Sequence, residues 1–337
     1  MSTAGQGSTR TILERIWFGS RLGALPLLPL AALFWLVSTA RRLGYQWGLL
    51  TSHRLPVPVV VVGNLTVGGA GKTPLVIWLA RHLRDRGLHP GILSRGYRGT
   101  ARAFPVAVKP DTDPLLVGDE PVLIARRTGC PVAIDPDRVR GARWLLGRER
   151  VDLLIADDGL QHYRLARDVE IVVVDGERRF GNGLLLPAGP LREGRDRLRA
   201  VDLVVTNGGS PHAGEHSMTL RPGEARSLAS PEVGRPLRAW RGERVHAVAG
   251  IGHPERFFRM LRELGLEVVP LPFPDHHVFT AADIDPPGAG AVLMTEKDAV
   301  KCRAFAGPRH WVVPVDAEPD AAFVSRLDVR LSELLDG

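Results

Sequence analysis

From Pro56 onwards the apolar residues fall into short runs separated by amphipathic stretches, the pattern of strands alternating with helices. VPVVVVG (57–63) is continuous, apolar and β-branched, which predicts a strand buried on both faces of a parallel sheet. Leu75, Val76, Leu79 and Leu83 then recur at helical spacing, and Gly87 closes that helix. GILS (91–94), PVAI (131–134), VDLLIAD (151–157), EIVVVD (170–175) and DLVVTN (202–207) predict further strands. The layout is that of a doubly wound, mostly parallel α/β sheet.

Residues 208–242 are rich in Gly, Ser and Pro and read as a linker, within which MTLRP and PLRAW are placed to pair as a short hairpin. The α/β rhythm resumes beyond them. RVHAVAGI, EVVPLPF, AVLMT and HWVVPV predict strands, and PERFFRMLREL a helix. The expected organisation is an N-terminal membrane-associated segment (1–50), a P-loop nucleotide-binding domain (51–207), the linker (208–242), and a smaller α/β domain (243–337). No internal repeat of fixed period is present.

Residues 22–38, LGALPLLPLAALFWLVS, carry no charge and lie between Arg10, Arg15 and Arg21 on one side and Arg41 and Arg42 on the other. A span needs roughly 20 apolar residues, so the run is a little short, and Pro26 and Pro29 interrupt its first half. Three readings are open: a cleaved signal peptide ending at the STA before Arg41, a buried core helix, and an uncleaved membrane helix with arginines at headgroup level.

Composition narrows the partners. The net charge of +7 is carried almost wholly by arginine, since the only lysines are Lys72, Lys109, Lys297 and Lys301. Such a surface favours anionic partners, either a membrane or phosphorylated substrates. No dense basic block interleaved with aromatics points to nucleic acid, and nothing implies an obligate protein partner. Cys130 and Cys302 stand far apart without zinc spacing or a disulfide framework, as in a reducing cytoplasm.

The chemistry starts at NLTVGGAGKTP (64–74). Glycines at 68, 69 and 71 let backbone N–H groups close on phosphates without Cβ clashes, and the following helix adds its positive end. The expected nucleotide-binding residues are Thr66, Val67, Gly68, Gly69, Ala70, Gly71, Lys72 and Thr73. Lys72 reaches the β- and γ-phosphates, and the Thr73 hydroxyl ligates Mg²⁺. Thr66 stands where the generic pattern has glycine, at a turn entry that need not approach a phosphate. Pro74 sits in the first helical turn, where a missing N–H costs nothing.

LLIADDGLQH (153–162) ends a strand in Asp157 and Asp158, placed to support Mg²⁺ directly or through water. A nucleotide site must face the compartment that holds ATP, which argues against the signal peptide and for the membrane helix. Three spots remain open between function and plain turn or cap chemistry: Asp119 and Glu120 in VGDEP (117–121), the histidines of PDHH (274–277), and Arg192 and Glu193 in LLLPAGPLRE (184–193).

Taken together, GNLTVGGAGKTP, SRGYRG (94–99), VGDEP, IADDGLQH, LLPAGPLRE, FPDHH and TEKDAVK (295–301), behind an apolar N-terminus, resemble the tetraacyldisaccharide 4′-kinase family, the lipid A 4′-kinases of Gram-negative bacteria. Thr66 agrees with the TVGG form of that family's loop. The resemblance implies transfer of the ATP γ-phosphate, with Mg²⁺, to the 4′-hydroxyl of an acylated disaccharide 1-phosphate lipid. It also implies two α/β domains joined by a short β linker, at the cytoplasmic face of the bacterial inner membrane.

By position, the resemblance makes Asp119 the candidate general base, with His276, or alternatively His277, tuning or orienting it. Tyr97, Glu120, His162, Arg192 and Glu193 become candidate substrate-lining residues. Asp119 and His276 fall in different expected domains, so closure between the domains is expected to assemble the site. TEKD lacks the [NT]-K-x-D spacing of guanine selectivity and reads as a strand-to-helix turn. Two rival readings remain: a membrane-associated P-loop ATPase or GTPase switch without a lipid substrate, and a non-catalytic nucleotide-binding scaffold.

Overall fold

The computed structural model describes residues 13–19, 21–288 and 290–335; Arg10 and the side chain of Arg21, expected to flank the apolar run, lie outside it. In that run Arg21–Leu27 is a 3₁₀ helix containing Pro26, and helix α1 (Leu28–Gln46) starts with Pro29 in its first turn. The prolines therefore mark the 3₁₀-to-α change rather than break a helix. Only Ala31 and Gly44 of α1 are buried, while Leu33, Trp35, Leu36 and Val37 are each more than half exposed. A core helix buries its apolar face, so that reading does not fit. The 25 residues Leu22–Gln46 are long and apolar enough to cross a membrane.

The first sheet has nine strands. In chain order they begin β1 (Val59–Gly63), β2 (Pro90–Ser94), β3 (Val106–Val108), β4 (Val132–Ile134), β5 (Leu153–Asp157), β6 (Val169–Asp175), β7 (Leu203–Asn207) and β8 (His216–Pro222). The ninth, β15 (Val315–Pro319), comes from the C-terminal end of the chain, and the spatial order is β15-β8-β7-β6-β1-β5-β2-β4-β3. All pairings are parallel except the two edges, β15 on β8 and β3 on β4.

Helices α2 (Lys72–Asp85), α3 (Asp119–Thr128) and α4 (Arg138–Leu146) follow β1, β3 and β4. Along β1 the side chains alternate. Val60 and Val62 enter a core with Leu75, Leu79 and Leu83 of α2, while Val59 and Val61 enter one with Val139, Ala142 and Leu145 of α4. Both faces are covered, which is why the strand reads as an unbroken apolar run.

The second sheet, in order β10-β9-β14-β13-β11-β12, is built from β9 (Ala225–Ser227), β10 (Gly234–Arg235), β11 (Arg244–Ala249), β12 (Glu267–Pro272), β13 (Ala291–Thr295) and β14 (His310–Val313). Helices α5 (Pro254–Glu263) and α6 (Glu296–Cys302) belong with it, and α7 (Ala321–Leu335) returns to the first sheet, where Phe323, Leu327 and Leu331 join the α2 core.

Two expectations need correcting. A hairpin forms in 208–242, but between β9 and β10; MTLRP pairs instead with β7 and β15, and PLRAW holds a 3₁₀ turn at Leu237–Trp240. HWVVPV is two strands in different sheets, divided at Pro314, whose missing N–H ends the ladder. Residues 315–335 thus pack on the first sheet and not on the second. The outward crossing at Gly223 lies beside this return, Gly223 N–H donating to Pro314 O at 2.8 Å.

Candidate active site

Strand β1 delivers the chain into the phosphate loop at its C-terminal edge, where α/β sheets place ligands. The first limb of the loop is zipped to LLPAGPLRE. Thr66 forms an antiparallel bridge with Leu191, Val67 N–H donates to Pro190 O (2.9 Å), and Arg192 N–H donates to Leu65 O (2.6 Å). A β-branched residue suits that extended pairing, which accounts for threonine in place of glycine.

Within the phosphate loop, left-handed backbone is confined to Gly68 (φ +102°) and Gly71 (φ +96°). Gly71 is pressed on Asn207 at the end of β7, whose Nδ2 donates to Ala70 O at 3.0 Å. Lys72 Nζ donates to Asn64 Oδ1 at 3.0 Å and lies 3.4 Å from Asp158. Sequence reasoning missed both asparagines, whose only signal was a polar residue at each strand end.

At the end of β5, Asp157 is buried. Its Oδ2 accepts from Ser94 Oγ at 3.2 Å, and its Oδ1 has no partner among the described residues. Burial, with Glu120 and Asp158 adding to it, pushes its pKa up to about 7. Asp158 behaves oppositely. Burial opposes its charge, but Lys72 and Arg192 hold its carboxyl well below the usual range, with Arg192 Nη1 at 2.9 Å from both oxygens.

The oxygen donors here fit magnesium. Among the described residues no cluster of three His, Cys, Asp or Glu forms a cage. Mg²⁺ bound through one or two carboxylates, water and substrate phosphates needs none, and the unpartnered Asp157 Oδ1 is the atom open to it.

Asp119 opens α3 directly after Gly118 (φ +92°). Its Oδ1 accepts Glu120 N–H at 2.9 Å and its Oδ2 meets His276 Nδ1 at 3.1 Å. The contact joins α3, packed on the first sheet, to the loop that follows β12 of the second.

His276 adopts a left-handed backbone (φ +62°), which turns its ring to Asp119 and edge-on to Tyr97 at 5.4 Å. His277 points elsewhere, stacking on Phe273 and bonding Asp283 at 3.3 Å. Burial raises the Asp119 pKa, yet the His276 hydrogen bond and Lys297, His276 and Lys301 outweigh it and bring the pKa down to about 2.

TEKDAVK, read as a turn, is more than that. Lys297 Nζ bonds Glu120 (2.9 Å) and Asp275 (3.1 Å), and Lys301 Nζ lies 3.7 Å from Asp119. Three of the chain's four lysines thus stand at the site, so the scarcity of lysine was the available signal.

The other expected residues make separate contacts along the same cleft. Arg192 is engaged with Asp158. Glu193 is buried and bonds Tyr163 and Gln161. His162 has Nε2 buried without a partner among the described residues, and burial brings its pKa down to about 4. These groups line one cleft of about 1210 Å³ that runs from Lys72 and Thr73 past Glu120 and His276 to Trp17, Phe34 and Val37 of the N-terminal helices. Asp119, 5% exposed, is buried beside this wall.

Residues 23–332 match the family model described as LpxK, tetraacyldisaccharide-1-P 4′-kinase. Among curated relatives, a tetraacyldisaccharide 4′-kinase of Nitrosococcus oceani is 52% identical over 313 residues, covering 93% of this chain and 92% of its own. That of Methylobacillus flagellatus is 50% identical over 333 residues, covering 98% and 99%. Among solved structures, LpxK from Aquifex aeolicus in complex with ATP aligns with a TM-score of 0.77 and 29% identity, over 93% of this chain and 99% of that one.

Proposed function

The chain belongs to the tetraacyldisaccharide-1-P 4′-kinase family, and from that premise we propose how its residues carry the reaction. It is a phosphotransferase that moves the γ-phosphate of ATP to the 4′-hydroxyl of a tetraacyldisaccharide 1-phosphate in lipid A biosynthesis. The carrying observation for the residue roles is the Asp119–His276 pair. It joins the start of α3 to the loop after β12 and meets at 3.1 Å beside a cleft whose floor is the phosphate loop and whose far end is apolar.

Loop amides from Val67 to Thr73 and the start of α2 cradle the phosphates, and Lys72, aimed by Asn64 and Asp158, neutralises their charge. Thr73 and Asp157 would hold Mg²⁺, which would supply electrostatic stabilisation of the transferring group. Asp158 serves chiefly to fix Lys72 and Arg192.

Asp119 accepts the proton of the 4′-hydroxyl as that oxygen bonds to the γ-phosphorus and the bond to the ADP oxygen breaks. With a pKa near 2, Asp119 is a weak base in the ground state. That suits a loose phosphoryl transition state, in which the attacking hydroxyl becomes acidic late and positioning supplies most of the catalysis.

The exposed apolar α1 and the arginines at its C-terminal end support attachment to the cytoplasmic leaflet of the inner membrane, where the acyl chains stay while the headgroup enters the cleft. Each buried CH₂ retains the lipid by ~0.8 kcal/mol, so the enzyme must come to the bilayer.

The test is incubation of purified protein with Mg-ATP and the disaccharide 1-phosphate, followed by mass spectrometry of the lipid. A second phosphate on the sugar supports the reading. ATP turnover that ignores the lipid supports the nucleotide switch instead.

A further inference from the structure

Helix α6 approaches the first sheet at the N-terminus of α3, and its two lysines enter an otherwise acidic pocket. Four carboxylates gather there: Asp119 and Glu120 from α3, Asp275 from the loop before His276, and Asp298 from α6 itself. Lys301 is 8% exposed, with Nζ at 2.9 Å from Asp298, 3.7 Å from Asp119 and 4.8 Å from the Phe279 ring centre.

Asp298 is fully buried and anchored in turn, accepting Gly250 N–H at 2.9 Å and Thr295 Oγ1 at 2.6 Å. The ammonium is therefore held from below by Asp298 and reaches upward to the carboxylate of Asp119. A chain with 44 basic residues, only four of them lysine, spends two of the four here. A compact ammonium fits between a ring face and two carboxylates where a planar guanidinium does not.

We propose that Lys301 is a positioning residue for phosphoryl transfer: through Asp298 it is fixed against Asp119, and it holds that carboxylate oriented toward the incoming hydroxyl. Lys297 plays the same part for Glu120 and Asp275, the neighbours that would otherwise repel Asp119. The proposal deepens the reading of Asp119 as the base and rests on it.

Without the Lys301 charge, burial still favours the protonated form of Asp119, and His276 and Lys297 are left to oppose it. The test measures kcat/KM against pH for the full-length protein with Mg-ATP and the disaccharide 1-phosphate. It compares wild type, Lys301→Met, Lys301→Gln and Lys301→Arg, with ATP affinity as the check that each is folded.

In the two neutral variants the acid limb is expected to move up, with kcat reduced about tenfold and the KM for ATP unchanged. Lys301→Arg keeps the limb in place while losing rate through misfit. Lys301→Gln serves if Lys301→Met does not fold. A neutral variant that loses rate with the wild-type pH profile, or one with wild-type rate, overturns the proposal. Asp119→Asn separates the two readings. If it turns over normally the base assignment fails, whereas if it is inactive and the Lys301 profiles do not shift, only the role of Lys301 fails.

Discussion

The three glycines of the phosphate loop serve different purposes, and single alanine substitutions separate them. Gly69 has an ordinary φ, and a Cβ there meets nothing within 4 Å. Gly68 is also open but is left-handed (φ +102°). Gly71 is left-handed (φ +96°), and its Cβ would stand 2.3 Å from Asn207 Nδ2. Asn207 is 2% exposed and bonded to Ala70 O, so it cannot swing aside without losing that bond.

In the absence of nucleotide, Gly69→Ala should change stability by less than about 0.5 kcal/mol, or gain slightly by restricting the unfolded chain. Gly68→Ala should lose about 1 kcal/mol through left-handed strain. Gly71→Ala should lose about 2–4 kcal/mol, the strain plus ~1–3 kcal/mol for the displaced hydrogen bond.

Urea unfolding followed by circular dichroism measures the order, and calorimetric ATP titration measures the function. All three variants should bind ATP less tightly, because each methyl intrudes where the backbone must approach phosphate. Only Gly71→Ala combines this with a large stability loss. If Gly69→Ala proves as unstable as Gly71→Ala, or if Gly71→Ala unfolds like the wild type, the division of labour is wrong.

Three further outcomes follow from the same geometry. Asp119→Asn should lower kcat by about 10²–10⁴-fold with calorimetric ATP affinity retained, and wild-type turnover would sink its assignment as the base. Leu33→Asp combined with Leu36→Asp replaces side chains that are 57% and 58% exposed, so it should leave the melting temperature unchanged yet abolish flotation with anionic vesicles; continued flotation would count against α1 as the attachment. Asp157, with its pKa raised from 3.8 to about 7, contributes stability that is complete below about pH 4 and lost as pH rises through 7, so Asp157→Asn should flatten the pH dependence of urea unfolding between those limits, and an unchanged slope would contradict the buried, proton-retaining carboxyl.

Legibility of this chain in its sequence follows from where the deciding interactions lie. β1, β5 and β6 were readable because burial on both faces makes each an apolar run, and the glycine loop was readable because its chemistry is contiguous. β15 was not readable as a separate strand. It is an edge strand carrying exposed Asp316 and Glu318, and the apolar residues before it belong to β14 in the other sheet. A single Pro314 redirects the chain, and that effect appears only once Gly223 is seen beside it.

The site divides in the same way. His276 and His277 are chemically identical neighbours, and what distinguishes them is a left-handed φ at position 276 that no periodicity reports. Lys297 and Lys301 lie more than 170 positions from the acidic residues they meet on α3, so no local pattern could pair them. What was available was economy. A chain that uses arginine almost everywhere keeps lysine where a small, buried ammonium is needed, and the reasoning that made Lys72 significant applied equally to the lysines of TEKDAVK.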